Sequence, residues 1–479
     1  MRLFLVGWTN NKESVEVAKK LKVKHDIVYW VWDSHSFAVD QSQFPDTIFH
    51  DHFDALKVKT APGVNDNGFD PLGAELIEKL HHLESVVLTN MNKKFESLSV
   101  TERKRLYYRM LRYWYGVLCT CAPDAVIFGF IPHTVYDYII FEMSKHLGIK
   151  TIMLNETMID DWMLITNDFS KSYPALREEL LQTVGQVVAV ADLCQDLQKY
   201  YQQKTAVNRD VTPSYMLQDY ARFSGYNLLK RKIKAINAGF KDFSIFKKTL
   251  LFLKKKISGA DLRSEHARVE IIPDLEKKFI YVALNYQPEC TTSPQGGVYV
   301  DQILMIETLS AALPTDWCIY VKEHPYQWMP RGTNYSSYRY PGFYEAIARV
   351  PKTCLVPPNM SSYALTNKAQ AVATITGTPG WEAILRGKPA LTFGFPWYQD
   401  YPDLLRVNDV ASCRAAIQKI ISGFAPRALT TIHFLKCLEK VGFRGYIDLY
   451  TEGVSHLSSE ENIASMYQAL EKALSGEMM

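Results

Sequence analysis

Short apolar runs alternate with amphipathic stretches along the first part of the chain. Leu3–Gly7 and Ile27–Trp32 read as strands, and the apolar spacing over Glu13–Leu21 reads as a helix between them. Ala125–Phe130 and Thr151–Leu154 read as later strands, separated by the helical pattern DYIIFEMSKHLG with Gly148 at its C-terminal end. The same alternation returns near residue 277. Strands are expected at Phe279–Leu284, Cys318–Lys322, Thr353–Val356, Ala371–Ile375 and Pro389–Phe393. Helices are expected at VDQILMIETLSAAL, SSYALTNKA and WEAILRG, and the tail beyond 408 reads as helices. Strands alternating with helices predict an α/β fold of parallel sheets, so each block is expected to be Rossmann-like. The expected domains are residues 1–225, a linker at 226–262, a second Rossmann-like block at 263–407 and C-terminal helices at 408–479.

The linker breaks this pattern. Ten Lys/Arg and one Asp stand between Lys230 and Lys256, in a chain whose net charge is only +3. Apolar residues Leu229, Ile233, Ile236, Phe240, Phe243, Leu250, Leu253 and Ile257 recur mostly at spacings of three, four or seven. That is the pattern of a basic amphipathic helix. Over 229–257 such a helix suits either an anionic membrane surface or a place between domains with its basic face solvated, and periodicity does not separate the two. Nucleic acid is not expected as a partner, because no nucleic-acid motif accompanies the charge.

Composition narrows the class. With 479 residues, 47% hydrophobic and 13% aromatic, the chain is globular rather than disordered. No apolar run approaches the roughly 18–20 residues of a membrane span. The opening apolar stretch ends at Trp8, shorter than a secretory core, so a cytoplasmic location is expected, peripheral on the inner membrane face if the basic helix meets lipid. Eight cysteines lack metal-ligand spacing, and no metal site is assigned.

Candidate chemistry gathers where strands end. Thr376-Gly377-Thr378-Pro379-Gly380 leads from a strand into a helix, and Thr291 to Gly297, with Gly296 and Gly297 adjacent, does the same earlier. Glycine permits close backbone approach and a helix N-terminus favours phosphate, so two such turns in one block point to a nucleotide. Neither is a Walker A loop or G-x-G-x-x-G. Lys322-Glu323-His324-Pro325 follows a strand, at the edge where open α/β sheets bind ligands, and His324 beside Lys322 suits a phosphate. In the first block Glu156 ends a strand, with Asp160 and Asp161 shortly after and His133 ending the preceding strand. A carboxylate so placed can act as base on an acceptor hydroxyl. For Asp160 and Asp161 an N-cap or a solvated turn is the competing role.

FIYVALNYQPECTTSPQGGVYVDQILMIETLS, YVKEHP and TITGTPGWEAILRGKPALTFG resemble the bacterial capsule polysaccharide biosynthesis family, which includes β-Kdo transferases. The K-x-H-P element and the later Thr-containing turn are also similar to motifs of bacterial sialyltransferases. The resemblance is dense over 279–400 and thin over 125–170. It implies a GT-B-like fold of two Rossmann-like domains facing a cleft, and a glycosyltransferase. The implied donor is a CMP-activated ulosonic acid, Kdo or a nonulosonic acid such as sialic or pseudaminic acid, with no cofactor beyond it. The implied acceptor is a hydroxyl of a bacterial surface glycan or glycolipid. By the same resemblance His324, Thr376 and Thr378 would contact the CMP phosphate, Lys322 would add charge, Gly377 would turn the loop, and Glu382 would reach the ribose. Glu156 would be the catalytic carboxylate, although Asn155 and Thr157 stand where relatives often have an acid and a glycine. Inverting and retaining transfer both remain open. The alternatives are a UDP-sugar transferase or epimerase on the same fold, and a non-enzymatic polysaccharide-binding or export component.

Overall fold

The computed structural model describes residues 1–8, 11–35, 38–206, 229–230, 233, 262–287, 289–328, 339–447, 449–453 and 455–477. The basic amphipathic stretch expected at 226–262 lies, but for a few positions, outside the described residues.

Two sheets organise the chain. The first has seven strands: β1 (Arg2–Val6), β2 (Asp26–Trp32), β3 (Ile48–Asp51), β4 (Ala125–Phe128), β5 (Lys150–Glu156), β6 (Trp162–Thr166) and β13 (Phe443–Arg444). Their order is β13-β6-β5-β4-β1-β2-β3. β1 to β5 run parallel, while β6 pairs antiparallel with β5 and β13 antiparallel with β6. Leu3, Phe4, Leu5 and Val6 are all buried, the continuous apolar run of a strand covered on both faces. One cover is the helix Lys12–Lys22, whose first turn is capped by the Asn11 side chain accepting the Ser14 N–H. β3, β6 and β13 were not expected: the four residues of β3 and the two of β13 are too few to show a period, and β6 is a five-residue apolar run close behind β5.

The second sheet has six strands in the order β12-β11-β10-β7-β8-β9, with every pairing parallel. They are β7 (Lys278–Ala283), β8 (Trp317–Lys322), β9 (Thr353–Leu355), β10 (Ala371–Thr374), β11 (Ala390–Thr392) and β12 (Leu405–Arg406). The α/β, GT-B-like class of two Rossmann-like sheets stands. In each sheet the strand order reverses beside its first strand, between β1 and β4 and between β7 and β10. Ligands of open α/β sheets bind at the carboxyl ends of such switch points.

The segment 159–201 and the helices after β10 share one apolar cluster, which joins the two halves. Trp381, fully buried in the helix Thr378–Leu385, donates its indole N–H to the Tyr200 hydroxyl at 3.1 Å. The Gln399 amide donates to the Phe169 carbonyl at 2.8 Å, and the Tyr173 N–H to the Asp400 carboxylate at 2.9 Å. The residues after 408 divide between the halves. Helix Val410–Ile421 packs on the second, whereas β13 and helix Ser459–Ser475 return to the first, where Met466, Leu470 and Leu474 meet Val15 and Leu21.

The return is pinned by Asp161. Its carboxylate, 1% exposed, receives Arg444 Nε at 2.7 Å and Nη2 at 2.8 Å, and Ser455 Oγ at 2.6 Å. Its carbonyl accepts the Gly445 N–H at 2.8 Å. Arg444→Ala leaves this carboxylate buried without its cation, and is expected to cost about 3 kcal/mol in urea unfolding. Arg444→Lys should recover only part, since an ammonium cannot form the two-pronged contact.

Candidate active site

The carboxyl edge of the second sheet is built on Asn285, two residues after the end of β7. Its backbone N–H donates to the Gln302 side chain at 2.8 Å and its carbonyl accepts from the Gln302 amide at 3.0 Å. Its side chain spans the switch point, accepting from Thr374 Oγ1 at 2.9 Å and donating to Thr376 Oγ1 at 3.3 Å. A polar residue directly after a buried strand was the signal available in the sequence for Asn285. Nothing marked Gln302, which lies in an apolar helix.

Next to it, at the end of β8, Lys322 is 7% exposed and donates to Ser362 Oγ at 2.7 Å. Glu323 turns inward. Its carboxylate, fully buried, takes Arg339 Nε and Nη2, each at 2.9 Å, the Tyr344 hydroxyl at 2.7 Å and the His324 N–H at 2.6 Å. Burial alone would raise the Glu323 pKa, but the guanidinium and the other donors hold it below the ordinary carboxylate value. Arg339 continues to the Asn285 carbonyl at 3.2 Å and to Gln287. The backbone carrying His324 is thus held by a buried ion pair whose Arg no local pattern could have identified.

His324 is half-buried beside Tyr286 and Tyr326, with ring centroids at 5.8 and 5.4 Å. Its Nδ1 accepts the Tyr326 N–H at 3.1 Å. A nitrogen that accepts carries no proton, so the neutral ring bears its N–H on Nε2. That is the donating form expected of a phosphate contact.

The glycine turns behave differently from one another. Gly296 donates its N–H to the Thr292 carbonyl at 3.1 Å, and Gly297 to the Pro294 carbonyl at 3.0 Å. A Cβ on Gly296 would lie 2.4 Å from the Thr292 oxygen. Gly296 is required by tight packing inside the turn and Gly297 by its positive φ of 54°, and both N–H groups are spent on carbonyls of the turn itself. Thr376 is likewise engaged inside the protein. Its hydroxyl donates to the Thr291 carbonyl at 2.6 Å and so ties the two turns together. Gly377 caps the helix Thr378–Leu385, its N–H on Thr374 Oγ1 at 3.1 Å and its carbonyl receiving Tyr398 at 2.7 Å. Thr378, partly exposed, is the first residue of that helix. Glu382, one turn in, lies 3.8 Å from Arg386 and contributes to the field around Lys204 of the first half.

In the first half, Glu156 ends β5 and accepts from Thr451 Oγ1 at 2.7 Å. His133, after β4, donates Nδ1–H to the Ile131 carbonyl at 2.7 Å, which leaves the lone pair of the neutral ring on Nε2. Asp137 accepts the backbone N–H groups of His133, Thr134 and Val135 and so sets this loop. Asp160 is open to solvent, yet the protein packed around it and the Asp161 carboxylate raise its pKa. Asp161 is neither an N-cap nor a solvated turn residue, and as the buried anchor of the return segment it is not open to an acceptor. The two halves meet electrostatically at Cys290. Burial pushes this thiol up to about 12, Glu289 and Glu156 add to the shift, and Lys93 opposes it.

The Glu323–Arg339 pair generates a pH prediction. Since Glu323 titrates below the ordinary 4.5, its contribution is complete above that value and is lost as pH falls through the depressed one. Acid unfolding profiles should therefore fall more steeply for the unsubstituted protein than for Glu323→Gln. Arg339→Ala, which leaves the carboxylate buried alone, should cost roughly 3–5 kcal/mol at neutral pH.

Comparisons with known proteins bear on this chain to different extents. No curated protein matches it. Among solved structures, Thermosulfurimonas dismutans KpsC, a beta Kdo 2,7 transferase, is 12% identical over 80% of this chain and 96% of its own, with a TM-score of 0.30. The KpsC beta Kdo 2,4 transferase of the same organism is 12% identical over 65% and 79%, with a TM-score of 0.28. The UDP-GlcNAc 2-epimerase of Methanocaldococcus jannaschii is 13% identical over 87% and 92%, with a TM-score of 0.21. At such TM-scores these likenesses carry no weight for the site. The sequence match does, because residues 291–405 fit the model of the capsule polysaccharide biosynthesis proteins. That span runs from the first glycine turn through His324 to the helix Thr378–Leu385 and ends at β12, so the match falls within the half of the chain that holds the candidate phosphate contacts.

Proposed function

We propose that this protein is a glycosyltransferase of capsule-type polysaccharide synthesis that moves an ulosonic acid from its CMP-activated form to a glycan hydroxyl. The observation that carries the reading is His324, at the carboxyl end of β8 within the family-matched region, with its ring N–H on Nε2 and its backbone held by a buried ion pair. CMP departs as a phosphate monoester, so the group to be stabilised is one phosphate. The His324 N–H, the Lys322 ammonium and the start of the helix Thr378–Leu385 suit that task. The bond from the anomeric carbon to the phosphate oxygen breaks, and a bond to the acceptor oxygen forms. In an inverting course Glu156 takes the hydroxyl proton. In a retaining course a carboxylate first holds the sugar covalently.

Thermal unfolding titrated with CMP, CDP, UMP and UDP tests the donor. A ligand that binds only the native state, at ~100 times its Kd, stabilises it by about 2.7 kcal/mol. CMP should raise the midpoint, and His324→Ala should remove the effect. A response to UDP alone would transfer the reading to a UDP-sugar enzyme. The basic stretch at 229–257 would hold such an enzyme at an anionic membrane face, near a lipid-linked acceptor. Co-sedimentation with anionic vesicles should be lost when Lys254, Lys255 and Lys256 are replaced by glutamine together with Lys230, Lys232 and Lys234; binding that survives would remove the membrane from the proposal.

A further inference from the structure

The returning C-terminal segment sets two hydroxyls against the turn that joins β5 to β6. Thr451 Oγ1 donates to Glu156 Oε1 at 2.7 Å, and Ser455 Oγ donates to Asp161 Oδ2 at 2.6 Å. The Ser455 N–H donates to the Thr451 carbonyl at 2.9 Å, so the two hydroxyls belong to one backbone turn. The carboxylates they reach flank the turn between the strands, which passes through positive φ at Met158 and Asp160. Asp161 also takes the Arg444 guanidinium and is a fixed anchor. Glu156 receives from Thr451 a neutral donor, which orients a carboxylate without cancelling its charge. Thr451 is 8% exposed, so this hydroxyl is largely shielded from water that would compete for it.

We propose that Thr451 is a positioning residue for Glu156: carried 295 residues along the chain, its hydroxyl fixes the carboxylate's rotamer and favours the ionised form. The catalytic consequence rests on Glu156 being the reacting carboxylate of the proposed transfer. The structural part does not. On this reading the first half's site is incomplete without the last thirty or so residues, because the anchor at Asp161 places the segment and Thr451 uses that placement.

The test uses the full chain with Thr451→Val, which keeps shape and removes the donor, Thr451→Ala as a second variant should the first fold poorly, and Thr451→Ser as the conservative rescue. The Glu156 side-chain carboxyl is followed by NMR in protein carrying 13C at glutamate carboxyls, with its signal assigned by loss in Glu156→Gln. In Thr451→Val its titration is expected to move to higher pH by about half to one unit, and to return in Thr451→Ser. If wild-type protein transfers from a CMP-ulosonate, the acid limb of kcat should move the same way, and kcat should drop about tenfold with the donor KM little changed. A merely structural Thr451 would lower the melting midpoint and leave both pH profiles in place. An unmoved Glu156 titration, or a serine variant that restores nothing, would overturn the proposal. Absence of transfer in the wild-type protein would count against the proposed function alone, with the NMR titration still deciding the role of Thr451.

Discussion

Arg444 reaches Asp161 across 283 residues, and that contact decides what the first sheet is. A guanidinium that meets a buried carboxylate through two nitrogens admits little freedom in angle or register. It therefore fixes β13 against β6, and β13 fixes the helix Ser459–Ser475 that covers one face of the sheet. The same contact brings Thr451 to Glu156. One ion pair thus sets the sheet's last strand, part of its core and the environment of its candidate reacting carboxylate.

The second half uses the same device for another purpose. Glu323 and Arg339 form an ion pair with both side chains fully buried, a costly arrangement unless every oxygen finds a donor. Here each does, and two of the donors, Arg339 and the His324 N–H, belong to the lining of the sheet's carboxyl edge. Charge is buried beneath the turn that carries His324, where it specifies geometry. Asn285 does the corresponding work without charge, joining the loops after β7 and β10 through Thr374 and Thr376.

Local physics was legible in the sequence and long-range partnership was not. The strands expected at Leu3–Gly7, Ile27–Trp32, Phe279–Leu284, Cys318–Lys322 and Ala371–Ile375 all formed within a residue or two, because buried parallel strands are continuous apolar runs. The placing of His324 at a strand end follows from the same reading. The turn at Gly296 and Gly297 misled, since a glycine needed for ligand approach and one needed for the turn's own packing, as at Gly296, look alike in sequence. Thr376 misled for a similar reason: its hydroxyl can face a ligand or a neighbouring carbonyl, and the neighbour is 85 residues away. Asp161, Arg339 and Thr451 were unreadable because each takes its meaning from a residue that no spacing rule connects to it.

The return of the chain has a consequence for synthesis. A ribosome releases β6 long before it makes β13 and the helix Ser459–Ser475, so the nascent first half carries an unpaired sheet edge and an uncovered apolar face throughout elongation. Complete cover of this sheet therefore comes only after the second half has been made, unlike that of a domain finished before the next begins. A chain broken off shortly after β12 would expose an adhesive strand rather than a finished domain, because β13 and the helix Ser459–Ser475 complete this sheet.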